Sequence, residues 1–254
     1  MAKKSGMGMS LYVGGINVSN DIGSIGTISS PRGVIENTGI DKFAFERLLT
    51  LKDGALALAA HWNPTLEHAL FKTLPVTDTA LSLQLGGAIG SPAASMVGKQ
   101  LNYDGARDAA ASLSFAINAQ ANGFGLEWGA LHTATGTDAS QLGVRTDTTA
   151  TNGASLDSGA ATTNFGLQAY LHVFGFTGTS VTVKVQGSSD NGVGDAFADI
   201  TGASFVAATG AGWQRIQTAR NAAIERYTRI VTTGTFTVAN FAVIVVRNTE
   251  TVNF

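Results

Sequence analysis

Three observations predict an all-β protein in two parts with one short helix. Apolar and polar residues alternate over many short runs. Glycine is abundant, at 31 of 254 residues, while proline occurs only four times. Only one stretch carries both a helical start and a helical stop signal. Each glycine costs a helix roughly 1 kcal/mol, whereas tight turns between short strands use it readily.

The first 10 residues read as a flexible lead. Leu11 to Asn63 is strand-like, with Ile22–Ile28 a glycine-punctuated β run and Ala55–Ala60 a strand leaving an Asp53-Gly54 turn. Phe43–Leu51 fits either a helical face (Phe45, Leu48, Leu49) or the arm of a long hairpin. The helix is expected over Thr65–Leu74. Asn63-Pro64 ends the preceding strand, the Thr65 hydroxyl is placed to cap, Leu66, Ala69, Leu70 and Leu74 make one apolar stripe, and Pro75 ends the segment.

Strands resume at Thr79–Leu85, Met96–Tyr103, Ala111–Ala119 and Gly125–His132. Their alternation, as in Leu81, Leu83 and Leu85, is that of sheets with one wet face. Thr135–Asn164 then turns to Thr, Ala, Gly, Ser, Asp and Asn and reads in part as linker, with short edge strands. A second β pattern begins near Gly166, with strands at Ala169–Phe176, Ser180–Gln186, Phe197–Ile200, Ser204–Ala207, Gln214–Gln217, Arg226–Thr232 and Phe241–Arg247. Turn signals spaced in this way suggest a sandwich. The expected division is therefore a β domain at 1–140, a linker at 141–160 and a β-sandwich at 161–254. No internal repeat is present.

Charged residues make up 13% of the chain, about half the usual share, and hydrophobic residues 44%. So little charge implies that much surface is hidden, and burial against copies of itself is one way to hide it. The net charge of −2 argues against a protein that grips nucleic acid through phosphates. Without cysteine, neither a disulfide frame nor a thiolate metal site can form. The N-terminus lacks the apolar core of a signal peptide, and no run reaches the ~18 apolar residues of a membrane span. Synthesis in a cytoplasm without export is the expectation.

Catalytic motifs are missing. There is no Gly-x-Ser-x-Gly elbow, no P-loop and no dinucleotide fingerprint, and Gly86–Gly90 does not open a helix. His61 and His68 lack the i, i+4 spacing of a helical zinc site, and His132 and His172 stand far from them and from each other in sequence. Asp190, Asn191 and Asp195 share a glycine-rich turn with too few oxygens for a full calcium loop. Arg215, Arg220, Arg226 and Arg229 are the one basic cluster, free to face solvent, to pair with Asp199 or Glu225, or to line an interface. Trp62, Trp128 and Trp213 read as core or interface anchors. No cofactor, metal or catalytic residue is expected, and the chain does not read as an enzyme.

Several ordered motifs carry a resemblance. They are Glu46-Arg47-Leu48-Leu49-Thr50-Leu51-Lys52-Asp53-Gly54, Trp62-Asn63-Pro64 before the short helix, Lys99-Gln100-Leu101-Asn102-Tyr103-Asp104 and Leu126-Glu127-Trp128-Gly129. In the second part, Tyr170-Leu171-His172-Val173, Val181–Gln186, Arg226-Tyr227-Thr228-Arg229 and Thr232–Phe236 continue the pattern. Together they resemble major tail (tail-tube) proteins of long-tailed phages, especially those of actinobacteria.

The resemblance implies a tail-tube-type β-sandwich or barrel with one short helix, plus a C-terminal β-sandwich decoration module. It implies hexameric rings, stacked into a hollow tube that conducts DNA without binding it specifically. The implied partners are copies of the chain and other tail proteins (tape measure, tail terminator, distal tail), with no membrane. The implied location is the virion tail, assembled in the bacterial host cytoplasm. A hairpin spanning Pro31–Ala55 would reach a neighbouring ring, which makes Glu36, Asp41, Phe43, Phe45, Arg47 and Asp53 the candidates for inter-ring or inter-subunit contact. Three other readings stand beside this one: a glycan-binding module with Trp213 or Tyr227 as sugar platforms, a capsid decoration or head–tail connector protein, and an enzyme with a site scattered in sequence.

Overall fold

The computed structural model describes residues 7–136 and 141–252. The expected flexible lead falls mostly outside these residues, as does part of the expected linker. The chain is all-β with one short helix.

In order, the elements are β1 (Ser10–Val13), β2 (Ile16–Asn17), a 3-10 turn (Ser19–Asp21), β3 (Ile22–Ser29), β4 (Arg32–Glu36), β5 (Arg47–Lys52) and β6 (Ala55–His61). Then come α1 (Glu67–Phe71), β7 (Thr79–Gln84), β8 (Pro92–Gln100), β9 (Asp104–Arg107), β10 (Leu113–Ala121) and β11 (Glu127–Leu131). The remainder is β12 (Arg145–Asp147), β13 (Asn152–Asp157), β14 (Leu167–Ser188), β15 (Ala198–Ser204), β16 (Gly212–Gln217) and β17 (Tyr227–Arg247). Among the described residues, no helix is long and apolar enough to cross a membrane.

Two compact units form, and they interleave along the chain. Among the described residues, one comprises 7–20, 79–95, 128–136 and 141–252; the other comprises 21–78 and 96–127. This division differs from the consecutive one at 140 and 161 that composition suggested.

The larger unit is organised on β17. On one side β17 pairs with β14 along almost their whole lengths, from Leu167↔Arg247 to Ser188↔Tyr227. On its other side lie β13, β12 and β11 in succession. The free side of β14 takes β16 at one end and β15 at the other. Composition suggested separate short strands, but here two strands of 22 and 21 residues run through. Register shifts between Val173 and Ser180 bend the ribbon without ending it. Gly178 occupies one of these shifts at φ 149°, and a Cβ there would lie 2.4 Å from Phe236 Cα. Leu167, Leu171 and Val173 from one half of β14 share a core with Val181, Val183 and Val185 from the other half. Ile230, Phe236, Phe241, Val243 and Val245 of β17 complete it.

The expected linker corrects itself at this point. Residues 145–157 hold β12 and β13, each paired to β17. The stretch is poor in large apolar residues, and its strands are held by main-chain pairing to β17 with little side-chain burial of their own.

A second correction concerns β7. Its alternation suggested one wet face, yet Ser82 and Gln84 are as buried as Leu81 and Leu83. The Ser82 hydroxyl and the Gln84 side-chain oxygen find internal partners, while Gln84 Nε2 has none. Ser82 Oγ lies 2.8 Å from Ser95 Oγ and 3.0 Å from His172 Nε2, while Gln84 Oε1 accepts from the Tyr12 hydroxyl at 3.2 Å.

The smaller unit is a sheet of β3, β6 and β10, extended beyond β10 by β9 and by the Gly98–Gln100 end of β8. Leu56, Leu58, Ala60, Ile117 and Ala119 point to its core. Helix α1 sits on this unit, but not through the expected stripe. Glu67 and Phe71 are buried, whereas Leu74 is exposed. Thr65 does not cap the helix. It donates instead to Asn63 Oδ1 from both its backbone N–H and its hydroxyl. Glu67 turns inward because the Tyr103 hydroxyl meets its Oε2 at 3.1 Å, which offsets part of the cost of burying a carboxyl.

Gly54 in the Asp53-Gly54 turn is not at positive φ. A Cβ on Gly54 would lie 2.5 Å from the backbone nitrogen of Leu126, so glycine is required by close approach.

Candidate assembly surface

Strands β4 and β5 pair only with each other, as a separate two-stranded sheet. This resolves Phe43–Leu51 as the tip and return strand of a hairpin arm. The arm closes at its base, where the Asp53 N–H donates to Pro31 O at 3.0 Å. Its register pairs Val34 with Leu49, Ile35 with Leu48 and Glu36 with Arg47. Hydrogen bonds order the tip: Asn37 N–H donates to Glu46 O, Lys42 N–H to Gly39 O, and Glu46 N–H to Thr38 Oγ1. Lys42 Nζ lies 3.6 Å from Glu46 Oε1, and the Arg47 guanidinium lies 4.9 Å over the Phe45 ring.

The arm exposes large apolar side chains along its whole length. Val34, Ile35, Ile40, Phe43, Phe45, Leu48, Leu49 and Leu51 are all in water, Phe43 and Ile40 completely so. A solvated hairpin carries polar residues on at least one face, and a two-stranded hairpin alone is marginally stable in water. An apolar surface of this kind marks a contact site.

Five of the six expected contact residues lie on this surface. Glu36 and Arg47 face each other across the strands, while Asp41, Phe43 and Phe45 are in the tip, and all five are exposed. Asp53 differs in setting. It stands at the base, where its carboxylate accepts from Gly54 N–H at 2.7 Å and from Gln120 Nε2 at 2.9 Å. The aliphatic residues Val34, Ile35, Leu48 and Leu49, which are not among those six, lie on the same surface. The signal was available, since adjacent Val-Ile and Leu-Leu pairs put apolar groups on both faces of a strand.

The other sequence candidates are held in internal structure. His172 is fully buried, with Nδ1 accepting from Gly15 N–H at 3.3 Å and Nε2 facing Ser82 Oγ. His132 is buried with Nδ1 donating to Ala130 O at 3.0 Å and Nε2 accepting from Thr228 Oγ1 at 2.8 Å. Burial pushes both imidazoles down, His132 to about 4 and His172 to about 3, so both are neutral. His68 Nδ1 lies 3.0 Å from the Tyr103 hydroxyl, and His61 is exposed.

The Asp190 carboxylate accepts from the backbone N–H groups of Val193, Gly194 and Asp195, so it closes its own loop. Among the described residues, no group of three or more His, Asp or Glu could hold a metal.

The arginines do not act as one patch. Arg226 forms a two-point ion pair with Asp157 at 2.7 Å, Arg229 donates to Gln186 Oε1, and Arg215 Nε donates to the Tyr170 hydroxyl at 3.1 Å. Asp199 pairs with Lys184 rather than with an arginine of that cluster.

Of the proposed sugar platforms, Tyr227 has the Arg226 guanidinium 5.0 Å over its ring. Trp213 borders a cleft of about 290 Å³ whose lining includes Leu171, Val173, Ala208 and Gln214.

These features define an all-β chain whose most exposed apolar feature, among the described residues, is a hairpin arm. No protein-family model and no curated protein matches it. Among solved structures it is similar to the Dit protein of phage SPP1, at 11% identity and a TM-score of 0.33, over 93% of this chain and 98% of that one. That protein is described as a paradigm of the hub adsorption apparatus in phages infecting Gram-positive bacteria. The likeness is too loose to define a shared fold.

Proposed function

We propose that this chain is a structural subunit of a phage tail, and within it a subunit of the tail tube. Copies would close into rings, hexameric by the family resemblance, and rings would stack into a conduit for DNA. The observation that carries the reading is the hairpin arm, with eight large apolar side chains in water. A surface of this kind needs a protein partner, and the ordered motifs from Glu46 to Phe236 resemble those of proteins that assemble with copies of themselves.

The arm-bearing unit supplies the inter-ring or inter-subunit contacts through Glu36, Asp41, Phe43, Phe45 and Arg47. Asp53 fixes the base from which the arm projects. Residues 161–254 would decorate the tube as part of the larger unit, joined through β17 to β11, β12 and β13, rather than as a separate module.

Electron microscopy of the purified protein over a rising concentration series tests the reading. Rings or tubes are the expected result. A chain that stays monomeric throughout, with no tail protein able to seed assembly, overturns it.

A further inference from the structure

The arm is apolar on both faces. Val34 and Leu49 are directly opposed in the register, as are Ile35 and Leu48 one position along. Successive residues of a strand point to opposite faces. Val34 and Leu49 therefore share one face, and Ile35 and Leu48 share the other. All four are more than half exposed. One covering surface would bury one pair and leave the other wet.

We propose that each arm is clamped between two other copies of this chain, one on each face. This rests on the self-assembly reading above. Three observations favour copies of the chain as the occupants.

The first is area. Strands of this length span about 17–20 Å and lie about 4.8 Å apart, so one face covers on the order of 200 Å². A stable pairwise interface needs about 800 Å² from each partner. One face cannot hold a dimer, but a contact repeated through identical copies accumulates area.

The second is charge. Arg32, Lys42, Arg47 and Lys52 balance Glu36, Asp41, Glu46 and Asp53, so the arm selects neither an acidic nor a basic partner.

The third is that the same chain exposes other large apolar residues that a copy's arm could cover. Lys99 Nζ donates to Val76 O and Gln100 Nε2 to Phe71 O, which ties the segment after α1 to the end of β8. Leu74, Val76 and Leu101 stand exposed in that neighbourhood.

A clamp of this kind makes assembly cooperative. A pair of chains covers one face of one arm, and the second face is satisfied only when a third copy arrives. Assembly then shows a lag and a critical concentration instead of a populated dimer.

The test uses two variants of the full chain, V34T/L49T and I35T/L48T, which keep the β preference of each position. Thermal melting and far-UV circular dichroism confirm that each variant is folded. Light scattering and sedimentation then give the critical concentration for assembly. The clamp predicts a rise of about a hundredfold for both variants, since each wets one face. If only one variant shifts the critical concentration, the arm lies on a single surface and the clamp is overturned. If neither shifts it, the arm is outside the interface and the clamp is equally overturned. If wild type itself assembles under no condition, the tail-tube reading falls first. A populated wild-type dimer with no critical concentration would sink the clamp alone.

Discussion

Arg145 grips Asp147 at two points, with Nε to Oδ1 and Nη2 to Oδ2 both at 2.7 Å, and both side chains are largely buried. Thr232 Oγ1 adds a hydrogen bond to Asp147 Oδ2 at 2.6 Å, and Arg145 Nη1 donates to Ile230 O at 2.9 Å. This pair ties β12 to β17. Removing one partner of a buried pair leaves the other charge uncompensated, at a cost of about 3–5 kcal/mol. Arg145→Ala is expected to lower unfolding free energy by that amount. Arg145→Lys should fall between it and wild type, because lysine cannot make the two-point contact. Urea denaturation of the three proteins checks the order, and equal stability for Arg145→Ala and wild type would refute it.

Acid should weaken the larger unit as pH falls below the ordinary histidine range. His132 and His172 are neutral in the folded chain, with values of about 4 and about 3, against about 6.5 when unfolded. The unfolded state therefore binds more protons below pH 6.5. Their contribution to stability is fully present above that pH and is lost as pH falls toward the folded values. Each histidine removes up to about 1.4 kcal/mol per pH unit in that window. The midpoint of thermal unfolding should drop steadily from pH 6.5 to 4.5. His132→Gln should flatten part of that slope. A midpoint that stays constant across the window would rule the mechanism out.

Salt should not dissolve assemblies held by the arm. Its charges balance, and its exposed groups are mainly apolar. Screening acts on ion pairs and leaves apolar contacts in place, while excluded salts such as sulfate strengthen burial. Assemblies formed at ~0.1 M salt should persist at ~1 M, and Phe43→Ser should weaken them at both concentrations. Sedimentation at the two ionic strengths decides the matter; dissociation at high salt would point to charge-driven contacts instead.

The Tyr103 hydroxyl holds Glu67 Oε2 at 3.1 Å, and Glu67 Oε1 has no hydrogen-bond partner. Burial raises the Glu67 pKa above the ordinary carboxyl value. Tyr103→Phe keeps the parallel stack with Phe115, whose ring centre lies 4.2 Å away, but strips the carboxyl of its side-chain bond. The expected cost is about 1–3 kcal/mol. Hydrogen exchange should speed up across residues 67–72 in the variant. Unchanged protection there would show that α1 is held by Phe71 alone.

Much of the strand pattern is local and could be read in advance. The run Val181, Val183, Val185 and the glycine-punctuated Ile22–Ile28 both became strands at the expected places. The hairpin arm was visible as one of two options over Phe43–Leu51. The turn at Asp190–Gly192 followed from residues that tolerate positive φ, and Asn191 adopts φ 64°. Distant partners hid the rest. Within Arg145–Asp157 composition suggested no more than short edge strands in a linker, because the partner of β12 and β13 begins some seventy residues later. Glu67 and Leu74 exchanged expected places, since the helical pattern ranks residues by polarity and could not anticipate the Tyr103 hydroxyl.

Sequence by itself determined the class: an all-β chain with one short helix, set by alternation, by glycine abundance and by the Asn63-Pro64 to Pro75 boundaries. These are short-range constraints on φ, ψ and side-chain direction. Tertiary structure alone decided that 145–157 is paired, that β14 and β17 run unbroken through their bends, and that the two units interleave along the chain. It also decided that the arm's aliphatic residues stay in water. Burial depends on which distant strands come together, and the arm's strands pair only with each other.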